Sequence, residues 1–172
     1  MDVRAARFLP LLGSIACAGA TGATLEGGVV HVTGATFHVG DVPSSWHRVN
    51  IDDAALSFRD EHGSSVLVAA RCNIRADDIP LVALTNQLVL GTTDREFVKE
   101  ETISLDHREA RHSVMKAKLD GVALVWDVYV MKKNGCVYDV VYVAPPNRFE
   151  GGSSAFEQFA VGLRTISEGG GS

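Results

Sequence analysis

The chain is poor in the residues that would narrow its function quickly. Cysteine occurs three times in 172 residues, at positions 17, 72 and 136, so a disulfide-built miniprotein is excluded. Proline occurs five times and aromatic residues make up 7% of the chain, which excludes proline-rich and aromatic-repeat architectures. Basic residues are in deficit: 16 Lys and Arg against 21 Asp and Glu give a formal charge of −5. No basic stripe is available for a nucleic-acid backbone, and no nucleic-acid partner is expected. No apolar run reaches the roughly 18 residues that a membrane-spanning helix needs. The six histidines, His31, His38, His47, His62, His107 and His112, are scattered. None stands in an HExxH or CxxC-type spacing, so the expectation is no metal and no cofactor. Gly27-Gly28 and Gly151-Gly152 lack the Lys-Ser/Thr ending of a phosphate loop.

What is present begins with a leader. Arg4 and Arg7 precede an apolar run, Phe8–Ala16, followed by small residues, which is the layout of a bacterial secretory signal. Ser14-Ile15-Ala16-Cys17 has the form of a lipobox, which assigns lipidation to Cys17 and a membrane anchor made of acyl chains. Cleavage after Ala20, giving a soluble periplasmic protein, is the alternative. Residues 18–35, rich in Gly, Ala and Thr, read as a flexible tether. Residues 36–167 read as one domain, and 168–172 as a disordered tail.

The stretch from Phe97 to Ala144 organises that domain. It reads as four strands joined at Asp106-His107, Asp120-Gly121 and Asn134-Gly135; Asp-Gly and Asn-Gly between apolar runs are strong hairpin signals. Val122–Met131 and Val137–Ala144 are apolar on both faces, so both faces need cover. Ala54–Arg59 and Ser65–Cys72 read as a further hairpin. Two helices supply the cover: about Ile79–Leu90, capped by Asp77-Asp78 and ended by Gly91, and about Ser154–Ile166, with Phe156, Phe159, Ala160 and Leu163 on one face. The order predicts an α+β fold, a mainly antiparallel β-sheet flanked by two helices as an αβα sandwich. A shift of apolar parity between Ala110–Val114 and Met115–Leu119 predicts a bulge or an exposed section in the second strand of the meander.

Leu119-Asp120-Gly121, the block Gly135-Cys136-Val137-Tyr138-Asp139 running to Tyr142-Val143-Ala144-Pro145-Pro146, and the closing Phe156-x-x-Phe159 helix resemble uncharacterised lipoproteins of myxobacteria and related deltaproteobacteria. That family is similar in fold to DcrB and PsbP proteins. The resemblance covers about residues 46–166 and carries no catalytic motif, and a fold of this kind does not dictate a function.

Two-residue turns fix the register of the meander and bring polar residues together. Arg111 and Asp139 flank Val130 on one face of three adjacent strands, within reach of a long arginine. On the other face His112 lies diagonal to Asp127, with Glu101 opposite if the first turn also has two residues. These are candidate buried polar pairs. Ser113 follows His112 but points to the opposite face, so no Ser-His-Asp triad forms and no catalytic residue is expected. Cys72 ends one strand and Cys136 begins another. In an oxidising envelope they form a disulfide; the alternative is two buried thiols.

Two functions follow. One is a non-enzymatic interaction or accessory module, lipid-anchored on the periplasmic side of a cell-envelope membrane and bound to an envelope protein partner. The other is a periplasmic small-molecule or lipid-binding protein, with Trp46, Trp126, Tyr129 and Phe159 lining an apolar cleft.

Overall fold

Three two-residue turns set the frame. At Asp106-His107, Asp120-Gly121 and Asn134-Gly135 both central residues have positive φ, between 47° and 82°. This is the hairpin geometry whose twist matches that of the flanking strands. The computed structural model describes residues 23–73 and 76–166. Around those turns run β7 (Thr93–Leu105), β8 (Arg108–Leu119), β9 (Val122–Lys133) and β10 (Cys136–Ala144). Upstream lie β1 (Thr24–Glu26), β2 (Val29–Val32), β3 (Ala35–His38), β4 (His47–Arg48), β5 (Leu56–Arg59), β6 (Ser65–Cys72) and helix α1 (Leu81–Leu88). Helix α2 (Phe149–Val161) and β11 (Arg164–Ile166) follow the meander.

The strands form an antiparallel seven-stranded sheet in the order β4-β5-β6-β10-β9-β8-β7 and a four-stranded sheet in the order β1-β2-β3-β11. The central pair β9–β10 is covered on both sides, as its composition requires. Tyr129, Met131, Tyr138, Val140 and Tyr142 face α2 and the small sheet, packing with Val30, Phe37, Phe156 and Phe159. Val128, Val130, Val137 and Val141 face α1 and pack with Leu84. The fold is α+β, with one helix on each face of the large sheet. Cys72 and Cys136 stand directly opposite each other in the β6–β10 ladder and are joined by a disulfide.

Several expectations are corrected. Residues 24–35, read as part of a flexible tether, belong to the small sheet. Gly27 and Gly28, at positive φ, turn β1 into β2, and Val30 is fully buried. The glycines there serve a hairpin. The leader, Cys17 and the tail 168–172 lie outside the described residues. The second helix starts at Phe149, five residues before the expected start, and residues 164–166 form a strand. Gly151-Gly152 is part of that helix, and position 152 has no room for a side chain: a Cβ on Gly152 would stand 2.2 Å from the Tyr142 oxygen. Helix α1 is shorter than expected and has no side-chain cap from Asp77 or Asp78. Instead Lys132 Nζ donates to the carbonyls of Ala76, Asp77 and Ile79 just ahead of it.

The parity shift in the second meander strand has another origin than a bulge there. The β8–β9 ladder is continuous, and the register shifts lie in β7, at Thr93/Glu96 and Phe97/Lys99. Ala110 and His112 are buried on the α2 face, whereas Met115 and Ala117 are buried on the α1 face against Val89. β8 passes from under one helix to under the other, so its buried face changes while its register does not.

The end of α2 is held by close backbone approach. Gly40 N donates to the Phe159 carbonyl at 2.9 Å. A Cβ on Gly40 would meet Gln158 O at 2.4 Å and Phe159 Cα at 2.7 Å, and a Cβ on Gly162 would meet Gly40 Cα at 2.4 Å. Backbone at that distance does not give way as a flexible side chain does. Gly40→Ala is therefore expected to destabilise the fold by about 2 kcal/mol through overpacking, read as a lowered urea midpoint. An unchanged midpoint would mean that the 39–41 segment moves freely off the helix.

Candidate functional site

The register set by the turns decides which polar side chains meet. Glu101, His112 and Tyr129 lie opposite one another across β7, β8 and β9. His112 is 5% exposed and bridges two carboxylates: its Nδ1 lies 2.8 Å from Glu101 Oε1 and its Nε2 2.8 Å from Asp127 Oδ1. The imidazole stacks on Tyr129 at 4.1 Å between ring centroids, and Tyr129 packs edge-on against Phe156 of α2. Lys99 Nζ adds a further contact to Glu101 at 2.8 Å. Burial alone would push the imidazole pKa down. The hydrogen bonds to Asp127 and Glu101 outweigh it and hold the pKa above the usual histidine value. Glu101 is held below the usual glutamate range, chiefly by its hydrogen bonds to Lys99 and His112. The cluster favours the protonated imidazole, set between two carboxylates. Ser113 lies on the other face of β8, its Oγ buried without a partner among the described residues, so its hydroxyl does not stand beside the imidazole for nucleophilic attack.

On the opposite face Arg111, Val130 and Asp139 are in register, but Arg111 and Asp139 do not pair with each other. Arg111 binds Glu100, diagonal to it on β7. Asp139, 1% exposed, accepts from Arg71 Nη2 of β6 at 2.7 Å. Arg71 lies on the strand that flanks β10 on its other side, and its role is legible only once the β6–β10 register is known (Val137 opposite Arg71). Glu100 was within reach of sequence reasoning: if Glu101 faces His112, Glu100 falls on the Arg111 face. Burial raises the Asp139 pKa, and Arg71 offsets that only in part.

A third polar cluster has no counterpart in the sequence analysis. The carboxylate of Asp106, in the β7–β8 turn, accepts from Lys133 Nζ at 2.7 Å and from Thr165 N and Oγ1, both at 2.8 Å. It ties β11, and with it the small sheet, to the meander. Burial would raise its pKa, but these donors hold it below the usual range.

The four aromatics expected to line one cleft are divided between the faces. Trp46, Phe159 and Tyr129 belong to the core under α2, whereas Trp126 packs on the α1 side. Among the described residues no group of three His, Cys, Asp or Glu is arranged to hold a metal ion.

The cluster around His112 should show in pH-dependent stability. His112→Ala leaves buried Asp127 without its partner and is expected to cost about 3 kcal/mol, measured by urea unfolding. The imidazole pKa is raised by folding, so its contribution is fully present below the unfolded value of about 6.5 and is lost as pH rises through the folded value. The gap between wild type and variant should be larger at pH 6 than at pH 9. A gap that does not change with pH would show that His112 acts by packing alone.

No protein-family model matches the chain, and no curated protein matches it in sequence. Solved structures do match. Cyanobacterial PsbP (CyanoP) from Synechocystis sp. PCC 6803 aligns at a TM-score of 0.54 and 14% identity, over 90% of this chain and 99% of its own. LpqN of Mycobacterium tuberculosis, a protein involved in cell envelope biogenesis, aligns at 0.57 and 10% identity, over 78% of this chain and 86% of its own. A Bacteroides thetaiotaomicron structure aligns at 0.53 and 10% identity over 87% of this chain, which spans 50% of that longer protein. At such identities the likeness is one of fold, and the fold of this chain is PsbP-like.

Proposed function

We propose that this chain is a non-enzymatic accessory module of a membrane-associated complex in the cell envelope, held on the periplasmic side by acylation of Cys17. The observation that carries this reading is the Cys72–Cys136 disulfide, which closes a sequence separation of 64 residues inside the sheet. Such bonds persist in oxidising compartments and are rare in the cytosol, which agrees with the leader and its Ser14-Ile15-Ala16-Cys17 motif. LpqN, which shares the fold, is involved in cell envelope biogenesis. Among the described residues no helix is long and apolar enough to cross a membrane, so in this reading attachment falls to the lipid.

The surface that suits a partner is the β7 edge of the large sheet. The first eight residues of β7 are exposed, and Phe97 and Val98 are among them. Leu90 (70% exposed) and Val122 are further exposed apolar side chains near that end of the meander. The two register shifts and the charges of β7 discourage indiscriminate strand addition, which leaves side-chain contacts as the means of recognition.

Two measurements test the reading. In its own cells the chain should fractionate with membranes, and Cys17→Ser should release it. A photo-crosslinking residue in place of Val98 should trap a discrete envelope protein, while the same residue at Glu61, away from the edge, should not. A chain that stays soluble and unprocessed, or that crosslinks nothing above background from Val98, overturns the proposal. The disulfide is separately measurable: in the chain-entropy treatment a loop of this length contributes about 4 kcal/mol. The Cys72→Ala/Cys136→Ala variant should lose stability of that order in urea, and reduction of the wild type should reproduce the loss.

A further inference from the structure

On the α1 face, between the end of that helix and the 52–54 loop, lies a cavity of about 210 Å³. Its walls include Leu67, Leu88 and Trp126, Asp139 forms part of its lining, and Asp52 and Asp53 stand in the same wall. Asp139 is 1% exposed, and only one of its oxygens is used. Oδ2 accepts from Arg71, whereas Oδ1 has no hydrogen-bond partner among the described residues. Trp126 Nε1, in the same wall, also lacks one. A buried carboxylate oxygen left unpaired costs as much as the desolvation of the group, and native structures rarely carry one without a use.

The chemistry of the wall selects the ligand. Asp52, Asp53 and Asp139 belong to the lining and, among the described residues, no basic residue does, so the cavity favours a positive charge. The unused acceptor calls for an N–H donor. Leu67, Leu88 and the indole call for a short apolar body, and the indole face also attracts a cation. We propose that this cavity is a binding site for a short-chain primary alkylammonium, whose nitrogen donates to Asp139 Oδ1 while its alkyl chain lies between Leu67, Leu88 and Trp126. Oδ1 is itself buried, and the terminal torsion of an aspartate is soft, so binding includes a turn of this carboxylate toward the cavity. Partial compensation by Arg71 alone agrees with the raised pKa of Asp139. This site is independent of the anchor and partner proposed above, and lies on the α1 face rather than in the polar cluster around His112.

The test uses the full chain, labelled with ¹⁵N and titrated with n-butylammonium chloride, with sodium chloride at equal ionic strength as the blank. The indole N–H resonance of Trp126, identified by its loss in Trp126→Phe, is followed. A saturable shift is expected, with half-saturation at about 1 mM for so few ligand atoms. Asp139→Asn should weaken binding about tenfold. Asp52→Asn/Asp53→Asn, which keeps a residue tolerant of the positive φ at position 53, should weaken it about threefold. n-Butanol, equal in length and uncharged, should give no saturable shift. The proposal is overturned by a non-saturating response to butylammonium, by equal affinity for butanol, or by unchanged affinity in Asp139→Asn. Should Asp139→Asn lose its dispersed amide spectrum, the double variant decides: unchanged affinity there overturns the proposal.

Discussion

The structure depends on one constraint: β9 and β10 are apolar on both faces and sit at the centre of a sheet that water must reach from neither side. A single layer packed against them would leave half of Val128, Val130, Val137 and Val141, or of Tyr129, Tyr138 and Tyr142, in water. At about 25 cal/mol per Å² of apolar surface, that exposure is large compared with the net stability of a domain. Helix α1 therefore takes one face, and α2 with the small sheet takes the other. The remaining elements serve this arrangement: the Lys132 ammonium gathers the carbonyls ahead of α1, and the glycine contact at Gly40 and Gly162 lets α2 lie close to the chain that crosses it.

Polar residues inside such a sheet survive only by satisfying one another. The clusters around His112 and Asp139 do so to different degrees. Around His112 both imidazole nitrogens are engaged and the ring is stacked. At Asp139 one oxygen is served and the other is not. A fully satisfied cluster contributes rigidity and register, whereas a half-satisfied one next to a cavity has capacity left for something that is not protein.

Much of this was legible in the sequence where the signal was local. Two Asx-Gly turns and Asp106-His107 gave the register of the meander, and with it the Arg111–Val130–Asp139 and Glu101–His112 alignments. Contacts between distant segments were not legible. The Arg71 partner of Asp139 depends on β6 lying beside β10, and the Thr165 partner of Asp106 depends on β11 leaving the helix to join the small sheet. Composition misled where one residue type serves two purposes. Gly27-Gly28 reads as looseness and is a hairpin turn, whereas Gly152 stands inside a helix where a side chain would collide with Tyr142. The parity shift in β8 has no bulge behind it: alternation reports which face is covered, and here the cover changes sides along the strand and leaves Lys116 and Lys118 exposed on the other.

The small sheet draws on both ends of the described chain: β3 lies near its beginning and β11 at its end, paired from Arg164 opposite His38 to Ile166 opposite Thr36. During synthesis the first three strands emerge early, but their fourth partner follows only after the meander and α2. The apolar side chains of β2 and β3, Val30 and Phe37 among them, must wait for the meander and α2 to be made before their cover is complete. Completing this layer therefore needs a contact between segments far apart in the sequence, the kind that forms slowly. Until β11 has been made, β2 and β3 form a hairpin with one edge unpaired and its apolar side chains incompletely covered, and a holding chaperone would have its opportunity there.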